Sequence, residues 1–153
     1  MLYFAYGSNM DWNQMWERCP SARFVGMALL PDHKLGFTRK SQRQNCGVAD
    51  AVAIAGRNLW GAYEIDELDV GSLDASEGYR PGQKTNSCRP RERMALRDGD
   101  ESRPRTVWTY FVQPEANPPL ASAKYVNLVI SGARHWRLPE DYIRDLERIE
   151  LGR

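Results

Sequence analysis

Histidine, cysteine and net charge are all scarce in this chain. Its 153 residues hold two histidines, His33 and His135, and three cysteines, Cys19, Cys46 and Cys88. An odd cysteine count with no C-x-x-C spacing gives no disulfide framework and points to free thiols in a reducing compartment. Two histidines far apart in sequence lend little support to a zinc centre or a Ser-His-Asp triad. Lysine and arginine total 21 against 20 acidic residues, so the electrostatic footprint of a nucleic-acid binder is missing. No apolar run approaches the ~18 residues of a membrane span. The opening Met1-Leu2-Tyr3-Phe4-Ala5-Tyr6 has no charged start and is too short a stretch for a signal peptide. A cytoplasmic protein with neither nucleic acid nor membrane as partner is the expectation. Neither G-x-x-x-x-G-K-[ST] nor G-x-G-x-x-G occurs, so no phosphate loop is signalled. Asp66 to Glu77 has acid, glycine and glutamate at positions 1, 6 and 12 of a calcium loop, but Leu68 and Val70 stand where oxygen ligands are required.

What is present is apolar and aromatic. Hydrophobic residues make up 42% of the chain, too many for a disordered segment, and the length suits one domain, residues 1–153. Five Trp and seven Tyr imply a well-packed core and an aromatic-walled pocket. The first six residues read as a buried strand that stops at Gly7-Ser8-Asn9, a turn cluster. Asn9 or Asp11 is placed to cap a short helix carrying Met10, Trp12, Met15 and Trp16 and ending before Pro20. Phe24–Leu30 and Lys34–Thr38 read as strands around a Pro31-Asp32 turn, followed by an exposed loop over 39–47. Val48–Ala55 and Asn58–Ile65 read as two more strands, separated by Gly56-Arg57. Asp69–Glu77 reads as a short helix with Gly78 as a left-handed C-cap, and residues 79–90 as a loop.

Arg91–Arg97 and Thr106–Gln113 form a strand pair around the polar turn 98–105. Arg89, Arg91 and Arg93 alternate and would share one strand face, a stripe that fits a solvated edge better than a surface for an anionic substrate or nucleic acid. Tyr125, Leu128, Val129 and Gly132 share a helix face, in a helix that Gly132 is expected to end. Pro139-Glu140-Asp141 starts another, since proline and acids both suit a first turn. Its stripe is Tyr142, Ile143, Leu146 and Ile149. Helices inserted in and appended to a strand-rich middle make an α+β domain.

Two segments carry candidate chemistry. Tyr6-Gly7-Ser8-Asn9 closes the opening strand with a glycine, which lets successive N–H groups converge on one point. Such a nest holds a carboxylate or a developing oxyanion, although the four residues alone also fit a plain turn. Glu77 sits in the last turn of its helix, four residues after Leu73 and so on the inward face. A partly buried carboxylate at a negative helix end has a raised pKa, as a general base working near neutral pH requires. A surface glutamate is the plainer reading of that position.

Together and in this order the two segments resemble the γ-glutamylcyclotransferase family. Leu2-Tyr3-Phe4-Ala5-Tyr6-Gly7-Ser8-Asn9-Met10 is similar to its N-terminal strand and substrate loop, and Ser72-Leu73-Asp74-Ala75-Ser76-Glu77-Gly78 to its helix end bearing the catalytic glutamate. Tyr125, Gly132-Ala133 and Leu138-Pro139-Glu140-Asp141-Tyr142 echo its C-terminal helix pair. The resemblance implies a small mixed β-barrel with flanking helices. It further implies conversion of a γ-glutamyl amine, amide or dipeptide to 5-oxoproline with release of an amine or amino acid, a reaction that needs no metal and no cofactor. Glu77 would be the catalytic base and acid, and Tyr3, Phe4, Ala5, Tyr6, Gly7, Ser8, Asn9 and Tyr125 the substrate-binding residues. The alternative is a non-catalytic small-molecule-binding module on the same fold. Exposed aromatics leave room for a homodimer. Where the family commonly carries a tyrosine as the next strand begins, the aligned residue here is Cys88, with Tyr79 the candidate substitute.

Overall fold

A computed structural model describes residues 2–40, 47–65, 70–84 and 86–152. Five strands close into a barrel in the order β1-β3-β2-β4-β5. They are β1 (Leu2–Ala5), β2 (Arg23–Lys40), β3 (Gly47–Ile65), β4 (Cys88–Arg97) and β5 (Pro104–Val112). β1 lies antiparallel to β3 and parallel to β5, which closes the ring. Four helices pack around it: α1 (Trp12–Arg18), α2 (Val70–Glu77), α3 (Ala123–His135) and α4 (Glu140–Glu147). This is the α+β barrel with flanking helices that the resemblance implied. No helix among the described residues is long and apolar enough to cross a membrane.

β1 shows why its sequence is an unbroken apolar run. Side chains alternate across a strand, and here both faces are buried. Phe4 and Tyr6 enter the barrel interior with Ala28, Leu30, Leu59, Ala95 and Val107. Tyr3 and Ala5 face the other way and join Met15 of α1, Leu73 of α2, Val129 of α3 and Leu146 of α4. The helices therefore cover the outside of the barrel at β1, and the chain emerging from β1 runs straight into the seam between the two cores.

Two expected strand pairs are fused. Pro31-Asp32 does not reverse the chain: β2 runs through it, with a register shift between Pro31 and His33. Asp32 takes the left-handed conformation (φ 60°) and Gly56 opposite it has φ 81°. The Asp32 carboxylate accepts the Gly56 N–H at 3.0 Å. Facing irregularities that bond to each other bend one long ribbon, where the sequence pattern reads as two breaks. Most of the expected 39–47 loop, with Cys46, lies outside the described residues, as do Asp66, Leu68 and Asp69.

Gly132 does not end α3, which continues to His135. A Cβ at this position would run into the backbone of Met10, so the glycine serves close approach of the helix to the turn after β1. The reversal comes later, at Arg137, with φ 59°. α4 starts after Pro139 with Glu140 and Asp141 in its first turn, as the sequence indicates.

Candidate active site

Four elements converge beside the end of β1. The chain leaves β1 through Tyr6 and Gly7 and makes a 3-10 turn, Ser8–Met10, all three of whose residues are buried. Gly7 has φ −103°, so it is not there for a left-handed turn. A Cβ on it would lie 2.6 Å from the Tyr125 hydroxyl, and the glycine is what lets that hydroxyl approach. Asp11, not Asn9, caps α1, accepting the Gln14 N–H at 3.0 Å. Asn9 is thereby left for the site. Ser122 caps α3 through the Tyr125 N–H, which fixes the turn carrying the Tyr125 ring.

α2 delivers Glu77. Gly78 has φ 78°, its N–H reaches the Ala75 carbonyl at 3.2 Å, and the Tyr79 N–H reaches the Asp74 carbonyl at 2.8 Å. These two bonds are the Schellman pattern, and they hold Glu77 at the helix end. Leu73, one turn earlier, is fully buried. The Tyr110 hydroxyl donates to the Asp74 carboxylate at 2.5 Å, tying α2 to β5.

Tyr3, Tyr6, Gly7, Ser8, Asn9, Ala49, Glu77, Tyr110 and Tyr125 line a small cleft that opens to solvent. Asn9 Nδ2 donates to Glu77 Oε1 at 2.9 Å and to the Tyr3 hydroxyl at 3.0 Å. Its Oδ1 accepts from Arg18 at 2.8 Å and from Gln14 at 3.2 Å. The Ser8 N–H donates to the Tyr125 hydroxyl at 3.0 Å, and the Ser8 Oγ accepts from Gln14 at 2.6 Å. The Tyr6 hydroxyl donates to the Tyr110 carbonyl at 2.6 Å.

Burial pushes the Glu77 carboxyl above the ordinary carboxylate range. The Arg18 guanidinium, 3.9 Å from Oε1, and the Asn9 amide pull it back, while Asp74 adds a smaller push upward. The dominant cause is thus loss of water rather than the helix end invoked from sequence. The Glu77 side chain is 27% exposed, so it is enclosed and yet within reach of the cleft. Burial also holds Tyr6 and Tyr110 protonated and pushes Tyr125 up to about 12. At neutral pH these phenols donate or accept hydrogen bonds without carrying charge.

Of the residues singled out from sequence, Glu77, Tyr3, Tyr6, Gly7, Ser8, Asn9 and Tyr125 meet at this cleft. Phe4 and Ala5 do not line it: Phe4 fills the barrel interior and Ala5 packs under the helices. Neither Cys88 nor Tyr79 lines it either. Cys88 is a buried thiol pushed up to about 12 by its surroundings, chiefly by burial, and Tyr79 packs against the helix-side core. The phenol on that wall is Tyr110, from a strand separated from Glu77 by 33 positions; only its place in the β-rich run Thr106–Gln113 marks it. Arg18, Gln14 and Ala49 were also not read from the sequence. His33 bonds the Pro31 carbonyl and His135 packs on Trp136, both away from the cleft. No group of three or more His, Cys, Asp or Glu positioned to hold a metal occurs among the described residues.

Comparison with known proteins agrees over nearly the whole chain. The family model for the AIG2-like family matches residues 58–146. The γ-glutamylcyclotransferases of Mus musculus and Homo sapiens are each 32% identical over 155 aligned positions, covering 97% of this chain and 78% of the relative. A solved structure of a γ-glutamyl cyclotransferase superposes with a TM-score of 0.87 at 28% identity, covering 99% of this chain and 89% of the other. With sequence and backbone agreeing from the first strand to the last helix, the chain belongs to the γ-glutamylcyclotransferase family.

Proposed function

We propose that the cleft converts a γ-glutamyl amine, amide or dipeptide to 5-oxoproline and a free amine or amino acid, with Glu77 as the proton carrier. The observation that carries this reading is a partly enclosed carboxylate, raised by burial, at a cleft that Ser8, Tyr6, Tyr110 and Tyr125 also line. The Ser8 N–H donates to the Tyr125 hydroxyl oxygen at 3.0 Å, a bond that a substrate oxygen in the cleft would replace.

The chemistry closes on one carboxylate. Glu77 takes a proton from the substrate α-ammonium, and the freed amine attacks the γ-carbonyl carbon of the same molecule. The carbonyl oxygen gains negative charge, which donors such as the Ser8 N–H and the neutral phenols stabilise. The ring nitrogen sheds its second proton as Glu77 hands the first to the leaving nitrogen, the γ-carbon to nitrogen bond breaks, and the second proton departs with the freed amine as its ammonium, which leaves a neutral lactam and an ionised Glu77. Attack within one molecule needs no second reactant, so holding the glutamyl chain folded supplies much of the acceleration. Among the described lining residues there is no Lys or Arg; the substrate α-carboxylate is accordingly met by N–H and hydroxyl donors.

Mass spectrometry of 5-oxoproline released from a panel of γ-glutamyl dipeptides and γ-glutamyl amines tests the reading and names the leaving group. Release from at least one class, lost in Glu77→Gln, is the expected result. Saturable binding across the panel with no release would leave the cleft as a binding site only.

A further inference from the structure

The Asn9 carboxamide uses every hydrogen-bonding position it has. Two donors, from Arg18 and Gln14, converge on Oδ1, and Nδ2 donates to the Tyr3 hydroxyl and to Glu77 Oε1. Turning the amide over would set Nδ2 against the Arg18 guanidinium and Oδ1 against the Glu77 carboxylate, so one orientation is enforced. Arg18 is itself anchored, since its carbonyl accepts the Ser72 hydroxyl of α2 at 2.8 Å. The end of α1 is thereby held to the helix that carries Glu77. Among the described residues both contacts to the Glu77 carboxylate, Asn9 at 2.9 Å and Arg18 at 3.9 Å, fall on the same oxygen, Oε1.

We infer that Arg18 is a positioning residue: it fixes the Asn9 amide so that Oε1 of Glu77 is anchored and Oε2 is the oxygen that exchanges the proton with substrate. This rests on the reading of Glu77 as the base. Arg18 does not line the cleft, and it acts in two separable ways. As a donor it orients Asn9, and as a cation it favours the ionised carboxylate. The groups that bear on Glu77 among the described residues are Arg18 from α1, Asp74 from its own helix, Tyr6 after β1, Cys88 from β4, Tyr110 from β5 and Tyr125 from α3. The three phenols and the thiol are held protonated by burial, which leaves Arg18 as the cation and Asp74 as the opposing anion.

Arg18→Gln and Arg18→Lys, followed by 5-oxoproline release across pH, separate the two actions. In Arg18→Gln the loss of the cation moves the acid limb of kcat/KM to higher pH, because the base ionises later. Misorientation of Asn9 lowers the plateau kcat about tenfold, with KM little changed. Arg18→Lys keeps a charge but lacks the planar fork, so its limb returns toward the wild-type position while its plateau stays low. A uniform loss with an unmoved limb in Arg18→Gln would mark a purely structural role and overturn the inference. Should Arg18→Gln fail to fold, Arg18→Lys decides alone: a lowered plateau supports the inference, and wild-type kinetics overturn it. Turnover persisting in Glu77→Gln would instead remove the base reading, and this inference with it.

Discussion

Two carboxylates in this fold share one perturbation and differ in what surrounds them. Burial raises both Glu77 and Asp50 above the ordinary carboxylate range. Asp50, on β3, is the more deeply buried, with 4% exposure, and both of its oxygens are taken. Oδ2 accepts the Thr38 hydroxyl of β2 at 3.0 Å and Oδ1 accepts the Val112 N–H of β5 at 3.0 Å. It knits three strands where the barrel ends. Both contacts to Glu77 fall on one oxygen, and the residue faces a cleft. A raised pKa alone therefore does not identify a base. On the proposed mechanism it is the Glu77 oxygen without a partner among the described residues, rather than the raised pKa, that favours Glu77 over the better-buried Asp50 as the base.

The comparison breaks most visibly at Glu77. Glu77→Gln keeps the shape and the acceptor for Asn9 but cannot carry the proton, so kcat should fall by about 10² to 10⁴ with little change in melting temperature. Near-wild-type release of 5-oxoproline would put the two carboxylates on the same footing. Asp50→Ala is the mirror experiment: it leaves the Val112 N–H and the Thr38 hydroxyl without their acceptor, at a cost of about 2 kcal/mol. A lower melting midpoint with nearly intact kcat is expected, and a catalytic loss without destabilisation would contradict the structural role. Tyr110→Phe tests the tether behind Glu77. It removes the donor to Asp74 and should destabilise by about 1.5 kcal/mol, with a few-fold loss in kcat as α2 loosens. No change in either would mean that the cap at Gly78 holds Glu77 unaided.

The two carboxylates were also unequally legible. Glu77 is marked locally: Leu73 one turn before it sets the inward face, and Gly78 one residue after it sets the helix end. Both are short-range signals, and both are realised. Asp50 sits between alanines in a strand, where alternation places it opposite Ala49 and Ala51 and would read as facing solvent. It is buried because Thr38 and the end of β5 close over it, and those contacts span 12 and 62 positions. Tyr110, Arg18 and Gln14 were missed for the same reason, since each acquires its role by meeting a residue that no periodicity connects to it. The fused strands are a subtler case. Asp32 and Gly56 each look like a turn alone, and only their pairing turns two breaks into one bent ribbon. The opening strand misleads in the opposite sense. Its motif resembles a substrate loop from Tyr3 to Asn9, but Phe4 is spent on the barrel interior and Ala5 on the packing under the helices.

The finest test concerns charge alone. Asp50→Asn preserves the pair of contacts, because an Asn oxygen can accept the Val112 N–H and its amide can donate to Thr38 Oγ, which then serves as acceptor. What it removes is a carboxylate that the folded state finds costly to ionise. In the unfolded chain Asp50 titrates near ~4; in the folded chain burial moves it higher. Between those two values the folded state binds the proton more tightly, so wild-type stability contributed by this group falls as pH rises, and the full penalty is present above the folded value. Asp50→Asn does not titrate and escapes that fall, while Glu77 titrates in both proteins and cancels. Melting measured from pH ~4 to neutral should show a gap in favour of Asp50→Asn that widens with pH. A gap that is constant or narrows would mean that the two strand contacts fully compensate the buried charge, and Asp50 would then differ from Glu77 in its ionisation as well as in its access to substrate.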